Sequence, residues 1–276
     1  MNGQRQRPSY FATVVESARQ TVLTLLGDRM LWVLAASGVL LAGLGFLLSS
    51  RARDDFAAPR LFCVLAWWLH GTVLMPWTTL YLGITVVHGP IEDRTFQYTF
   101  LRPVDRSALL FGKWLGICAV AVPIAVSGVA LLFAGLAARP SAWPDGLEWR
   151  LPFVFAAVVA GGAVVYAAIA ALFAVWLRRP LVMAALFVVG LQTVTANLHV
   201  SAGLRRITVV DPLRRLVMDG IEPDAVLAQA LWPAERDFRS EEVGTPVRDL
   251  AVLAGTALVL AMWIYRRTEY DSRDRE

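Results

Sequence analysis

Charged residues in this chain are placed so that six long stretches contain none: residues 30–50, 61–91, 114–138, 151–177, 180–204 and 250–265. One Asp, Glu, Lys or Arg at the centre of a bilayer costs about 2.5–3.5 kcal/mol even on lenient scales, so gaps of this kind mark a chain that crosses a membrane repeatedly. A helix takes about 20 residues to cross about 30 Å of hydrocarbon. The first five stretches are long enough. The sixth is short, and Arg248 at one end with Arg266 and Arg267 at the other extend it by reaching to the interface. None alternates polar and apolar residues with period two, which argues against a barrel. The expected fold is therefore an all-α integral membrane protein of six transmembrane helices, at about residues 30–50, 61–88, 114–138, 151–177, 180–200 and 249–266, forming a single domain over residues 1–276.

Composition agrees, with 57% hydrophobic and 17% charged residues where soluble domains have about 45–50% and 25%. Cys63 and Cys118 both lie inside apolar stretches, so a disulfide-stapled scaffold is excluded. A net charge of +4 spread along the chain does not make a nucleic-acid footprint. The histidines, at 70, 88 and 199, have no His-Glu-x-x-His neighbourhood, and the spans hold no paired carboxylates. No catalytic residue and no metal site is expected. Cys63, His70 and Met75 are soft-metal ligand types in one span, but scattered ligands of this kind read as packing.

Upstream of the first span, Phe11, Val14, Val15, Ala18, Val22, Leu25 and Leu26 recur at helical spacing opposite Glu16, Arg19 and Gln20. This pattern predicts a helix over about residues 8–28 lying in the membrane interface. Arg5, Arg7, Glu16, Arg19, Asp28 and Arg29 leave no apolar centre for a cleaved signal peptide. Six crossings put both termini on one side. With that side cytoplasmic, fourteen basic residues fall inside and twelve outside, and seven of the twelve sit in the charge-balanced loop 201–248. Long loops translocate largely regardless of charge, so the termini are assigned to the cytoplasm. Within that outer loop, Asp211-Pro212 and Glu222-Pro223 suit the first turns of two short helices, expected to rest on the outer membrane surface.

The segment between the second and third spans is the most informative loop. Glu92, Asp93 and Arg94 are followed by Thr95, Phe96, Tyr98 and Phe100, then by Arg102-Pro103-Val104-Asp105-Arg106 and by Gly112-Lys113. Arg102-Pro103 interrupts any helix continuing from the second span, and Asp105 is placed to cap a new one. Exposed aromatics on a compact element at a membrane surface suit either a protein groove or the headgroup layer. This stretch resembles the segment after the second span in permease subunits of ABC-2 type transporters, through Thr95-Phe96, Arg102-Pro103-Val104-Asp105-Arg106 and Gly112-Lys113. The glycine that often precedes the threonine in that family is Arg94 here. The layout is similar along the whole chain. The resemblance implies a coupling helix that docks on an ATPase subunit, with contacts at Glu92, Asp93, Arg94, Thr95, Phe96, Arg102, Pro103 and Arg106.

The energy source must then lie elsewhere. A P-loop requires lysine within Gly-x-x-x-x-Gly-Lys-Ser/Thr, whereas Lys113, the sole lysine, is followed by Trp114 and has Ser107 where the first glycine belongs. The implied assembly has two copies of an ABC ATPase that carry ATP and Mg, a second permease, identical or homologous, and surrounding membrane lipid. The chain itself is expected to be a transport subunit in the cytoplasmic (inner) membrane and no enzyme, with no cofactor of its own. A secondary transporter needs the same spans without an ATPase, but usually shows paired repeats, and none is evident here. Inside the fifth span Gln192, Thr195 and His199 share a face. They are expected to line a substrate path or a permease–permease contact, or else to serve as interhelical hydrogen-bonding groups. Pro123 is expected to bend the third span, and Gly161-Gly162 to allow a close helix contact in the fourth.

Overall fold

The computed structural model describes residues 9–51, 58–92, 105–143, 146–192, 208–221 and 244–267. Among the described residues the regular structure is entirely helical: α1 (Tyr10–Gly27), α2 (Arg29–Arg51), α3 (Ala58–Val64), a π-helical segment (Leu65–Leu74), α4 (Met75–Glu92), α5 (Arg106–Ala137), a short 3-10 turn (Pro140–Ala142), α6 (Arg150–Trp176), α7 (Pro180–Leu186), a second π-segment (Phe187–Gln192), α8 (Val210–Ile221) and α9 (Gly244–Arg267). The helices α3 and α4, joined through the first π-segment, make one continuous rod. Among the described residues, five helical rods are long and apolar enough to cross a membrane: Arg29–Ser50, Ala58–Pro90, Arg106–Ala137, Arg150–Trp176 and Thr245–Arg267. They match five of the six expected spans. The remaining one, expected at 180–200, is present as the shorter apolar helix Pro180–Gly190, and residues 193–207 lie outside the described part.

The centre of the bundle is α6, whose inner faces are built from small residues. Ala163, Ala167, Ala168, Ala170, Ala171 and Ala174 are all buried, and such side chains let backbones approach where apolar lipid supplies no hydrophobic drive between helices. Glycines on the neighbours do the same. A Cβ on Gly83 of α4 would stand 2.5 Å from that of Ala170, and one on Gly162 would stand 2.5 Å from Met75 Cε. Gly162 thus makes the close contact expected of the Gly161-Gly162 pair, whereas Gly161 has only Leu250 nearby, at 4.0 Å. Phe62 is fully buried and meets Phe133 and Phe155 edge-on with ring centroids 5.6 and 5.5 Å away.

Contacts along the rods fix their directions. From α4 to α6, Met75 meets Gly162, Gly83 meets Ala170 and His88 meets Ala174, so the two run in parallel. From α2 to α5, Gly38 meets Gly128 and Ala42 meets Gly135, again in parallel. The first helix also follows α5: Val14 and Ser17 lie at Gly112, Ala18 and Thr21 at Gly116, and Leu25 packs with Val120 and Ala121. The helix expected over residues 8–28 is therefore present, but the face it buries is Val14, Ser17, Thr21 and Leu25, and Phe11, Val15 and Leu26 of the apolar stripe remain exposed. The reason is steric, because the missing side chains of Gly112 and Gly116 let Ser17 and Thr21 come so close that an added Cβ would stand 2.6 Å from each of their Cβ atoms.

One expectation is corrected. The helix predicted at Asp211-Pro212 forms as α8, yet it does not rest on an outer surface. Leu213 reaches Gly162, twelve residues into α6, while Gly220 abuts Val154 near the start of α6. The helix runs antiparallel to α6 with its N-terminus pushed towards the middle of the bundle. Two features permit this. Gly162 and Gly220 open the space, and Asp211 pairs with Arg215 one turn on at 2.8 Å, so the charges enter together. The second short helix, expected at Glu222-Pro223, falls outside the described residues. Pro123, expected to bend the third span, sits inside α5, which continues through it as one helix from Arg106 to Ala137.

Candidate functional site: the loop-bearing end of the bundle

Segment 93–104 emerges between the end of α4 and the start of α5, so what holds those two ends decides what the loop can do. Pro90 lies in the last turn of α4. Lacking an N–H, it leaves the carbonyl of Val86, four residues earlier, without its helical donor. The Lys113 ammonium supplies one instead, donating to Val86 O at 2.9 Å from the second turn of α5. A single proline thus creates an acceptor on one helix, and the only lysine in the chain fills it from the next. The two ends flanking the loop are tied by a hydrogen bond with a charged donor, a stronger type than a neutral one.

Further side-chain-to-backbone bonds brace this end. Ser17 of α1 donates through Oγ to Leu109 O of α5 at 2.8 Å. His88 of α4 places Nδ1 2.9 Å from Ala174 O of α6, so that nitrogen carries the proton, since a carbonyl only accepts. His88 is buried in this tie. Asp105 caps α5, as its position after Arg102-Pro103 predicts, accepting from Ser107 N at 2.9 Å and from Ser107 Oγ at 2.7 Å. The Ser107 hydroxyl holds the Asp105 carboxyl below the usual carboxylate range, aided by the positive charge of Arg266. That influence places the end of α9 beside the start of α5. The beginning of α1, the end of α4, the start of α5, the end of α6 and the end of α9 therefore share one end of the molecule.

Of the residues expected to contact an ATPase, Glu92 is the last of α4 and Arg106 the first of α5. Asp93, Arg94, Thr95, Phe96, Arg102 and Pro103 lie outside the described residues. Gln192 ends the second π-segment, while Thr195 and His199 also lie outside them. Sequence reasoning missed three things here: the Lys113–Val86 tie, the Asp211–Arg215 pair within the bundle, and the polar surroundings of His70. The first two had signals, a proline four residues after a carbonyl at a span end and an Asp-x-x-x-Arg spacing. The third had none beyond a lone histidine in an apolar run.

At the opposite end Arg139 donates to Ser49 O at 2.6 Å and Ser50 O at 3.3 Å, closing the last turn of α2. A groove of about 600 Å3 opens between α6, α8 and α9, walled by apolar residues such as Val158, Leu216 and Leu250, with Asp219 as its polar member. Among the described residues no cluster of three or more His, Cys, Asp or Glu side chains is arranged to hold a metal ion.

The described residues include five helices long and apolar enough to cross a membrane, the architecture of a multi-pass membrane protein. Residues 28–205 match the family described as ABC-2 family transporter protein, and the chain belongs to that family as an ABC-2 type permease. No curated protein matches it.

Proposed function

We propose that this chain is the membrane-spanning subunit of an ATP-driven ABC-2 type exporter in the cytoplasmic membrane, working with two copies of a separate ABC ATPase and a second permease, identical or homologous. The observation that carries the reading is the tie between Lys113 and Val86, in a chain of a family whose members work with such an ATPase. A push on segment 92–106 would reach α4 and α5 together, and through Ser17 and His88 also α1 and α6. In this reading Glu92, Asp93, Arg94, Thr95, Phe96, Arg102, Pro103 and Arg106 meet the ATPase, which holds ATP and Mg.

The topology has six crossings with both termini cytoplasmic. Support comes from helix direction: α6 brings the chain to the loop-bearing end and α9 starts from the other, so residues 177–243 supply one further crossing. Alongside α5, α1 presents three faces. Val14, Ser17, Thr21 and Leu25 face protein, Phe11, Val15 and Leu26 are exposed and apolar, and Glu16, Arg19 and Gln20 are polar. Gln192, Thr195 and His199 are assigned to the substrate path or to the contact between permeases.

The test is substitution of the loop in the assembled transporter. Phe96→Ala and Arg102→Ala are expected to leave membrane insertion intact and to lower permease-dependent stimulation of ATP hydrolysis by about tenfold or more, the effect of removing about 1.4 kcal/mol of interface coupling. Unchanged stimulation in both variants at equal expression refutes the assignment of the loop.

A further inference from the structure

Deep in the bundle, at the junction of α2, the first π-segment and α5, His70 is 4% exposed and its ring is held at one side only. Nε2 lies 2.7 Å from Ala125 O. A carbonyl accepts but cannot donate, so Nε2 carries a proton, and in the neutral ring Nδ1 is left as an acceptor. Nδ1 is buried and has no hydrogen-bond partner. A buried polar atom in that condition costs about 1–3 kcal/mol. The ring is seated deliberately, because a Cβ on Gly128 would fall 2.3 Å from its Cε1.

Beside the ring is a small cavity with about 10 Å3 of fillable volume, lined by Ser37, His70, Thr78, Thr79 and Gly128 among others. That volume is near the minimum for one water molecule, which also needs two to four polar partners. The wall offers them: the imidazole acceptor and three hydroxyls, of which Ser37 is already turned onto Leu34 O at 2.6 Å. Local backbone explains why the space exists. Residues 65–74 are π-helical, with Met75 N–H reaching back five residues to His70 O, and π-segments are frequent at functional sites. Apolar cavities stay dry, whereas this one has Ser37, His70, Thr78 and Thr79 in its wall.

We propose that this cavity is a binding site for one ordered water, which donates to His70 Nδ1 and bridges it to the hydroxyl of Thr78 or Thr79, linking the π-segment to α4. The water satisfies a buried ring nitrogen that otherwise has no hydrogen-bond partner. It also makes the widened turn around His70 a defined element of the span, fixed to α5 through Nε2 and to α4 through the bridge. This inference does not depend on the ATPase reading.

Three histidines make the chain tractable for histidine-selective 15N solid-state NMR in lipid vesicles. The His70 signals are assigned by their loss in His70→Gln or, if that variant does not fold, by their persistence in His88→Gln and His199→Gln. The expected result is a protonated Nε2, an unprotonated Nδ1 and magnetisation transfer from water to Nδ1. Transfer should fall severalfold in the double variant Thr78→Val, Thr79→Val while Nε2 is unchanged. Absence of water transfer to Nδ1 overturns the proposal, as does a proton resident on Nδ1. A Nδ1 shift that follows replacement of sodium by potassium also overturns it, because the occupant is then a cation.

Discussion

Asp105 shows how much one side chain decides at the loop-bearing end. As N-cap of α5 it satisfies the Ser107 N–H, and Asp105→Ala should cost about 1 kcal/mol, measured as a lower midpoint in detergent unfolding. The pH response has a definite sign. Its carboxyl is held below the ordinary value by the Ser107 hydroxyl, so the charged cap's contribution is present above the ordinary carboxylate pKa of about 3.9 and is lost as pH falls through the lowered folded value. Asp105→Asn should retain most of the cap and remove that acid dependence. This residue was legible in the sequence, since a capping side chain after Arg-Pro is a local signal. His70 was not, because only the packing of α5 against the π-segment reveals that its second nitrogen is unpaired.

Among the elements, the α4–α5 pair offers the sharpest prediction. Lys113→Met leaves Val86 O without a donor and should destabilise by about 1–3 kcal/mol. Pro90→Ala restores the helical N–H to the same carbonyl, so the penalty of Lys113→Met should shrink in the Pro90→Ala background, a coupling that a double-mutant cycle of unfolding free energies reads directly. Equal penalties in both backgrounds would mean that the lysine acts by some other contact. For α1, the close approach to Gly112 of α5 makes a second test. A Cβ on Gly112 would stand 2.5 Å from Val14 O, a backbone atom, so Gly112→Ala should cost about 1–3 kcal/mol by overpacking and should expose the Ser17 end of α1 to hydrogen exchange. Hydrophobic period marked the apolar stripe of α1 but not the protein-facing side, because Ser17 and Thr21 are buried by the close approach of Gly112 and Gly116 rather than by apolar content. For α8 the helix was legible from Asp211-Pro212, whereas its depth was not, because Gly162 and Gly220 make room for it from distant parts of the sequence.

For the whole molecule, the distribution of charge foretold five rods that the structure contains, because the cost of burying a charge in lipid acts on every span independently of how they pack. How those rods associate depends on glycines, alanines and single polar ties, which carry little pattern along the chain. The arrangement of ends around segment 93–104 follows from that association, and it supports the reading of this ABC-2 type permease as one half of an ATP-driven machine. The most direct measurement isolates the intact chain from its native membrane in mild detergent at native expression and assays ATP hydrolysis by the isolated complex. The account predicts a co-isolated P-loop subunit in equal amount to the permease, with hydrolysis that loses its permease dependence in Phe96→Ala and Arg102→Ala. Isolation of a stable permease without any P-loop protein, together with transport in vesicles driven by an ion gradient alone, would contradict it.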